Sequence, residues 1–203
     1  MMKTCALAAL AAGMAVSGCV AVPVVAGGAA LTRGVVQERS TLTGLKDTDI
    51  QLGVATRLGN HSGELYRDVE VDVTEGAVVL TGTVPRAGDK VAATEAAWAT
   101  PGVLSVEDAM EVATDAGTGS YLADANISTR LRYELVTDWA VSAVNYTVTT
   151  VDRTVHLTGI ARSREELVRV IDHARSVEGV RRVVSHVLTI DDPRRVARIA
   201  RGG

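Results

Sequence analysis

The chain has 203 residues, of which 47% are hydrophobic and 22% charged, and a formal net charge of −3. It has no Phe and only 3% aromatic residues, so any core must be aliphatic. A mildly acidic chain lacks the basic surface that nucleic-acid binding needs, and that class of partner is not expected.

The first element is a short apolar run from Leu7 to Val16, behind Lys3 and followed by Ser17-Gly18-Cys19. A bilayer span needs about 20 residues. A run of about 7–15 behind a positive segment is instead the core of a secretory signal. Val16-Ser17-Gly18-Cys19 is similar to a lipobox, the site at which a cysteine is acylated and the preceding signal removed. Residues 1–18 are therefore predicted as a lipoprotein signal peptide and Cys19 as the lipidation site and first mature residue. The alternative is an ordinary secretory signal with an incidental cysteine. Cys5 lies inside the discarded segment, so the mature chain has no thiol for a disulfide or a cysteine metal site. By analogy with diderm lipoproteins, Val20 in place of Asp favours the outer membrane, with the chain facing the periplasm. Residues 19–46 are predicted as a flexible tether reaching on the order of 30 Å. Within it the uncharged stretch Ala21 to Leu31 alternatively dips into lipid headgroups.

Beyond the tether the sequence repeats. Val78-Val79-Leu80-Thr81-Gly82 matches Val155-His156-Leu157-Thr158-Gly159 at an offset of 77 (159 − 82). The same offset carries Asp47 onto Asp124, Ile50 onto Ile127, Leu58 onto Leu135, Val71 onto Val148 and Gly102 onto Gly179 without a gap. Two copies of one small domain are predicted, at 47–113 and 122–190, with a Gly/Thr/Ala linker at 114–121 and a basic tail at 191–203.

Each copy reads as helix, strand, strand, helix, strand. Ile50, Val54 and Leu58, like Ile127, Leu131 and Leu135, recur every four residues and place one apolar stripe on a helix. Val69, Val71 and Val73 alternate with acidic residues, which predicts a strand with Glu70, Asp72 and Glu75 directed to solvent. Glu75-Gly76 and Asp152-Arg153 are the turns into the second strand. The second helix opens with a capping-box pattern at Ser163 and Glu166 and carries Leu167, Val170, Ile171 and Ala174 on one face. Its counterpart relies on Ala93, Ala96, Ala97 and Trp98. Gly102 and Gly179 are predicted to stop these helices. The fold class is α+β, two tandem αββαβ units with helices on one face of a three-stranded sheet. Units of about 65 residues are small for independent stability, so the copies are expected to pack together through their open sheet faces.

Both copies resemble the BON domain (bacterial OsmY and nodulation), in a hydrophobic-x-Leu-x-Gly strand motif and a Gly-Val-x-x-Val motif. Here these are residues 78–82 with Gly102-Val103-Leu104-Ser105-Val106, and residues 155–159 with Gly179-Val180-Arg181-Arg182-Val183. Two copies behind a lipobox are similar to the dual-BON outer-membrane lipoproteins of the DolP/OsmY-like family. The resemblance implies a non-enzymatic, periplasmic-facing protein that supports outer-membrane integrity, contacts phospholipid through its second copy and needs no cofactor. It also implies that Gly82, Gly102, Gly159 and Gly179 serve the backbone.

For lipid contact the sequence offers Arg130, Arg132 and Tyr133 on the first helix of the second copy, with Trp139 just beyond. Arg suits phosphate, and Trp and Tyr favour membrane interfaces. The alternative is that the arginines are merely solvated and Trp139 fills the core. Asn126 stands where a DolP-type protein would favour an inserting aromatic. In the tail, Arg194, Arg195, Arg198 and Arg201 alternate with apolar residues, as in a short basic amphipathic helix for an anionic surface or as a frayed solubilising tail. His61, His156, His173 and His186 show no metal-ligand spacing, and His156 and His173 are placed at domain surfaces. No nucleophile–base pair or phosphate loop is evident. The alternatives to lipid binding are docking of an envelope protein or assembly machine and binding of a small ligand in osmotic stress.

Overall fold

The computed structural model describes residues 41–113 and 118–202. The predicted signal segment, Cys19 and the predicted tether up to residue 40 lie outside the described residues, as does half of the predicted linker, residues 114–117. The first copy comprises α1 (Thr41–His61), α2 (Gly63–Asp68), β1 (Val69–Thr74), β2 (Ala77–Val84), α3 (Ala87–Trp98), β3 (Ser105–Asp108) and β4 (Glu111–Val112). The second comprises α4 (Thr118–Thr137), a 3-10 turn (Ala143–Asn145), β5 (Tyr146–Val151), β6 (Thr154–Ala161), α5 (Arg164–Ser176), β7 (Arg182–Ser185) and β8 (Leu188–Thr189). A last helix, α6 (Pro193–Gly202), follows. Within the described residues, helix takes in residues 41–46 and 118–121, which composition assigned to tether and linker.

In each copy a central strand pairs antiparallel with the first (Val71↔Leu80, Val148↔Leu157) and parallel with the last (Val78↔Val106, Val155↔Val183). The last strand is broken in two, and both halves pair with the central strand. At the break Asp108 Oδ1 accepts from the Met110 amide, and Ser185 Oγ accepts from that of Val187. The kink turns Met110 and Val187 into the cores.

The helical stripes are buried as spaced: Val54, Leu58, Leu131 and Leu135 are all at most 2% exposed. Trp98 does not join them and is about half exposed, so the face of α3 on the core is alanine, with Ala93 and Ala97 buried and Ala92 and Ala96 partly buried against it. Ser163 caps α5 by accepting from the Glu166 amide, but Glu166 does not return the bond. Its buried carboxylate accepts instead from the Ser142 and Arg162 amides and the Arg162 side chain. The α3 and α5 helices end at Trp98 and Ser176, before the glycines predicted to stop them. Gly102 and Gly179 lie in the turns beyond, at φ of 90° and 95°.

The β-hairpin turns show what the repeat preserves. Glu75-Gly76 and Asp152-Arg153 all have positive φ, the geometry of a type I′ turn whose twist suits a two-residue hairpin. Three of these four residues are not glycine, and a side-chain clamp compensates. Asp47 accepts from the Glu75 and Gly76 amides at 2.8 and 2.9 Å, and Asp124 accepts from those of Asp152 and Arg153 at 2.9 and 2.8 Å. Charge-assisted bonds to buried amides are among the stronger ones. Asp124→Ala should therefore lower stability by about 2 kcal/mol, measured as a shift in the urea midpoint at unchanged m-value.

The copies meet through their sheets. Each hydrophobic core draws on one copy only. The opposite faces carry Asp72, Val79 and Thr81 in the first copy and Thr149, His156 and Thr158 in the second, all buried. Thr149 Oγ1 donates to Asp72 Oδ2 at 3.2 Å, a pairing between counterparts 77 positions apart. Arg182 reaches Glu111 at 2.7 Å and His186 reaches Glu107 at 2.9 Å, so the pairs run in opposite order along the two copies. This is the signature of an approximate two-fold relation between the copies. It corrects two expectations, since Asp72 does not face solvent and His156 is not at a surface; a third, that Glu75 faces solvent, is corrected in the hairpin turn, where Glu75 is buried beside Arg195 and Arg198. The open sheet faces do cover each other, as the small size of the units led one to expect, and it is the placement of these individual side chains that differs.

Candidate functional site

The α4 helix has two apolar faces. Ile127, Leu131 and Leu135 enter the core, as their spacing requires. On the outer side Leu122, Tyr133 and Val136 are each more than 70% exposed, and Trp139, just past the helix end, is 95% exposed. At about 100° per residue, Leu122, Tyr133 and Val136 fall within an arc of about 60°. Arg130 flanks one side of this arc and Arg132 the other. The first copy exposes Leu45 and Leu52 on the same arc of α1, but lacks the aromatic part of the stripe, since Thr56, Gly59 and Ser62 stand where the second has Tyr133, Val136 and Trp139. Sequence spacing finds the inner stripe; the outer one leaves a weaker signal, with Val136 three residues and Leu122 eleven residues from Tyr133.

The arginines are oriented. Arg130 Nε donates to Asn126 Oδ1 at 3.2 Å, and its Nη1 lies 3.5 Å from the Glu178 carboxylate. Asn126, the residue out of place for an inserting helix, thus positions a guanidinium. Arg132 donates through Nη2 to the carbonyl of Val148 and remains on the surface. Trp139 does not fill the core.

The basic tail is placed differently from either sequence alternative. It forms α6, but Arg195 and Arg198 turn inward. Arg195 Nε and Nη2 donate to the Glu75 carboxylate at 2.8 and 2.7 Å, and Arg198 Nη2 lies 3.7 Å from it. Burial pulls the Arg198 pKa below its ordinary value, with Glu75 opposing that pull. Arg194 is clamped by Asp192, and Arg201 donates to the Ala197 carbonyl on the exposed side. Of the four tail arginines, Arg195 and Arg198 are withdrawn from any lipid surface by Glu75.

Among the described residues there is no group of three or more His, Cys, Asp or Glu side chains able to hold a metal. No described helix is long and apolar enough to cross a membrane. His173 lies between Glu134 (3.2 Å) and Asp138 (2.8 Å), and the carboxyl of Asp138 is held below the usual range chiefly by that imidazole.

The chain is 33% identical over 128 residues to an uncharacterized protein of the gshII 5′ region of Anaplasma centrale, covering 63% of this chain and 83% of that one. Among solved structures it is similar to the C-terminal domain of CdsD, described as the structural protein of the type III secretion system of Chlamydia trachomatis. The identity there is 14%, the coverage 71% of this chain and 67% of that one, and the TM-score 0.29. A second CdsD structure gives 14%, 75%, 96% and 0.30. The family model for the BON domain matches twice, at residues 46–114 and 123–191, over the two copies of the repeat. The chain belongs to the BON-domain family, generally of non-enzymatic binding modules, and carries two copies of that domain.

Proposed function

We propose that the protein is a non-enzymatic module that lays the outer face of α4 on an anionic phospholipid surface. In this role it supports the integrity of the outer membrane to which Cys19 anchors it. The observation that carries this is the exposed stripe of Leu122, Tyr133, Val136 and Trp139, flanked by Arg130 and Arg132. Large side chains are placed in water here, on one arc of a helix whose other arc is fully used by the core. Trp and Tyr settle at the headgroup level. An amphipathic face binds by its apolar area together with attraction to anionic lipid. An arginine near an anionic leaflet contributes about 1 kcal/mol. Each interaction is modest, and the anchor makes modest affinity sufficient by raising the local concentration.

Residues 40–203 should co-sediment with vesicles containing phosphatidylglycerol and only weakly with phosphatidylcholine vesicles. Replacing Tyr133, Val136 and Trp139 together by serine should cost at least tenfold in affinity, by removal of apolar area. Arg130→Gln should cost about fivefold, and less at high salt. Binding unaffected by the triple replacement, or no binding to either vesicle, would exclude the membrane as the partner of this face. In the second case, crosslinking an envelope protein to it would favour the assembly reading.

A further inference from the structure

We propose that the contact between the two BON copies is a separable joint, held closed by the C-terminal helix through the Arg195–Glu75 pair. Three observations meet here. First, neither core is shared: every buried apolar residue of each cluster comes from its own copy. The copies can therefore part without opening either core. Second, the joint is lined with polar groups, several of them unsatisfied. Thr81 Oγ1, Thr158 Oγ1 and His156 Nε2 are buried without a hydrogen-bond partner. Such atoms regain water when the joint opens, which makes the two faces easier to part. A face built only for permanent burial would be apolar at these positions.

Third, one element belonging to the end of the chain grips the other copy. α6 follows the last strand of the second copy, and Arg195 forms a two-pronged pair with Glu75 in the first copy's hairpin turn. The Arg195 and Glu75 side chains are 13% and 6% exposed. Arg195 Nη1 also donates to the Ile190 carbonyl at 2.7 Å, which fixes the guanidinium to the second copy. The pair is thus a buried bidentate link between copies, of the kind whose loss leaves a charge stranded. Glu75 is itself held by the Asp47 clamp, so the pull is transmitted to α1 of the first copy.

The test uses the full chain in detergent micelles, with Cys5 and Cys19 replaced by serine and spin labels on Glu95→Cys and Asp172→Cys. These are exposed counterparts on α3 and α5. The parent should give one narrow inter-label distance. Glu75→Gln, and independently Arg195→Gln, should add a second, longer component while the far-ultraviolet circular dichroism stays unchanged. A narrow, unshifted distance in both variants would overturn the proposal. So would loss of helical signal in step with the new component, because the copies would then not be separable.

Discussion

Gly159→Ala should leave the second copy unfolded at 37 °C, and Gly82→Ala the first. Both glycines sit on the central strand directly opposite the start of the first, at φ of 133° and 127°. That backbone region is essentially closed to L side chains. A Cβ on Gly159 would also run into the backbone carbonyl of Asn145, and one on Gly82 into that of Asp68. Neither carbonyl is the end of a flexible chain, so the strand pairing itself must give way. Strain and clash together exceed about 4 kcal/mol, an exceptional value for a point change. A copy of this size has only about 0.1 kcal/mol of stability per residue to lose. Gly88→Ala is the control. It lies in the first turn of α3 with nothing within 4 Å of its would-be Cβ, and should be neutral or slightly stabilising. Limited trypsin digestion reads the outcome: Gly159→Ala should open the arginines of α5 to cleavage while α1 to α3 stay protected. A Gly159→Ala protein that resists digestion and melts within a few degrees of the parent would refute the steric account.

These glycines were legible because a motif repeated in register marks a backbone requirement. The helical stripes were legible because their partners lie within a few turns or on the same small sheet. What could not be read was which side chains line the face between the copies. Val69, Val71 and Val73 alternate with Glu70 and Asp72 in the same way whether the second face meets water or another sheet. Asp72 finds its partner 77 residues away and Arg195 its partner 120 away, with no local signature of either. The repeat itself was the available signal, since two identical open sheets tend to cover each other. The outer face of α4 was half legible: its aromatics and arginines stand out by type, whereas the exposure of Leu122 and Val136 requires knowing which arc the core has taken.

Asp72→Asn should stabilise the protein by about 2 kcal/mol at pH 7.5 and make its stability fall more steeply in acid. The reason lies in two buried groups at the joint with opposite pH responses. Burial, reinforced by Glu70, pushes the Asp72 carboxyl up to about 6 against the pull of Thr149 and Arg132. A raised carboxyl contributes stability below its unfolded value of 3.8, and that contribution is lost as pH rises through 6. His156 behaves in the other sense. Its burial, with His186 and Arg182 adding to the effect and Glu107 opposing it, lowers its pKa to about 4. A neutral buried imidazole contributes stability above its unfolded value of 6.5, lost as pH falls through 4. The geometry gives the cause. With Glu107 2.9 Å from His186 Nδ1, the neutral pair has His186 Nδ1 donate to that carboxylate and Nε2 accept from His156 Nδ1 at 3.3 Å. A second proton on His156 would go to Nε2, which is buried and without a partner. Between about 4 and 6 the two groups offset each other, and the parent should show a shallow pH dependence there. Asn keeps an oxygen to accept from Thr149 but no longer titrates, so the variant exposes the His156 slope alone. Urea midpoints at pH 4.5, 6.0 and 7.5 decide it: equal slopes in parent and variant, or a variant less stable at pH 7.5, would show that Asp72 is not a strained charge at this interface.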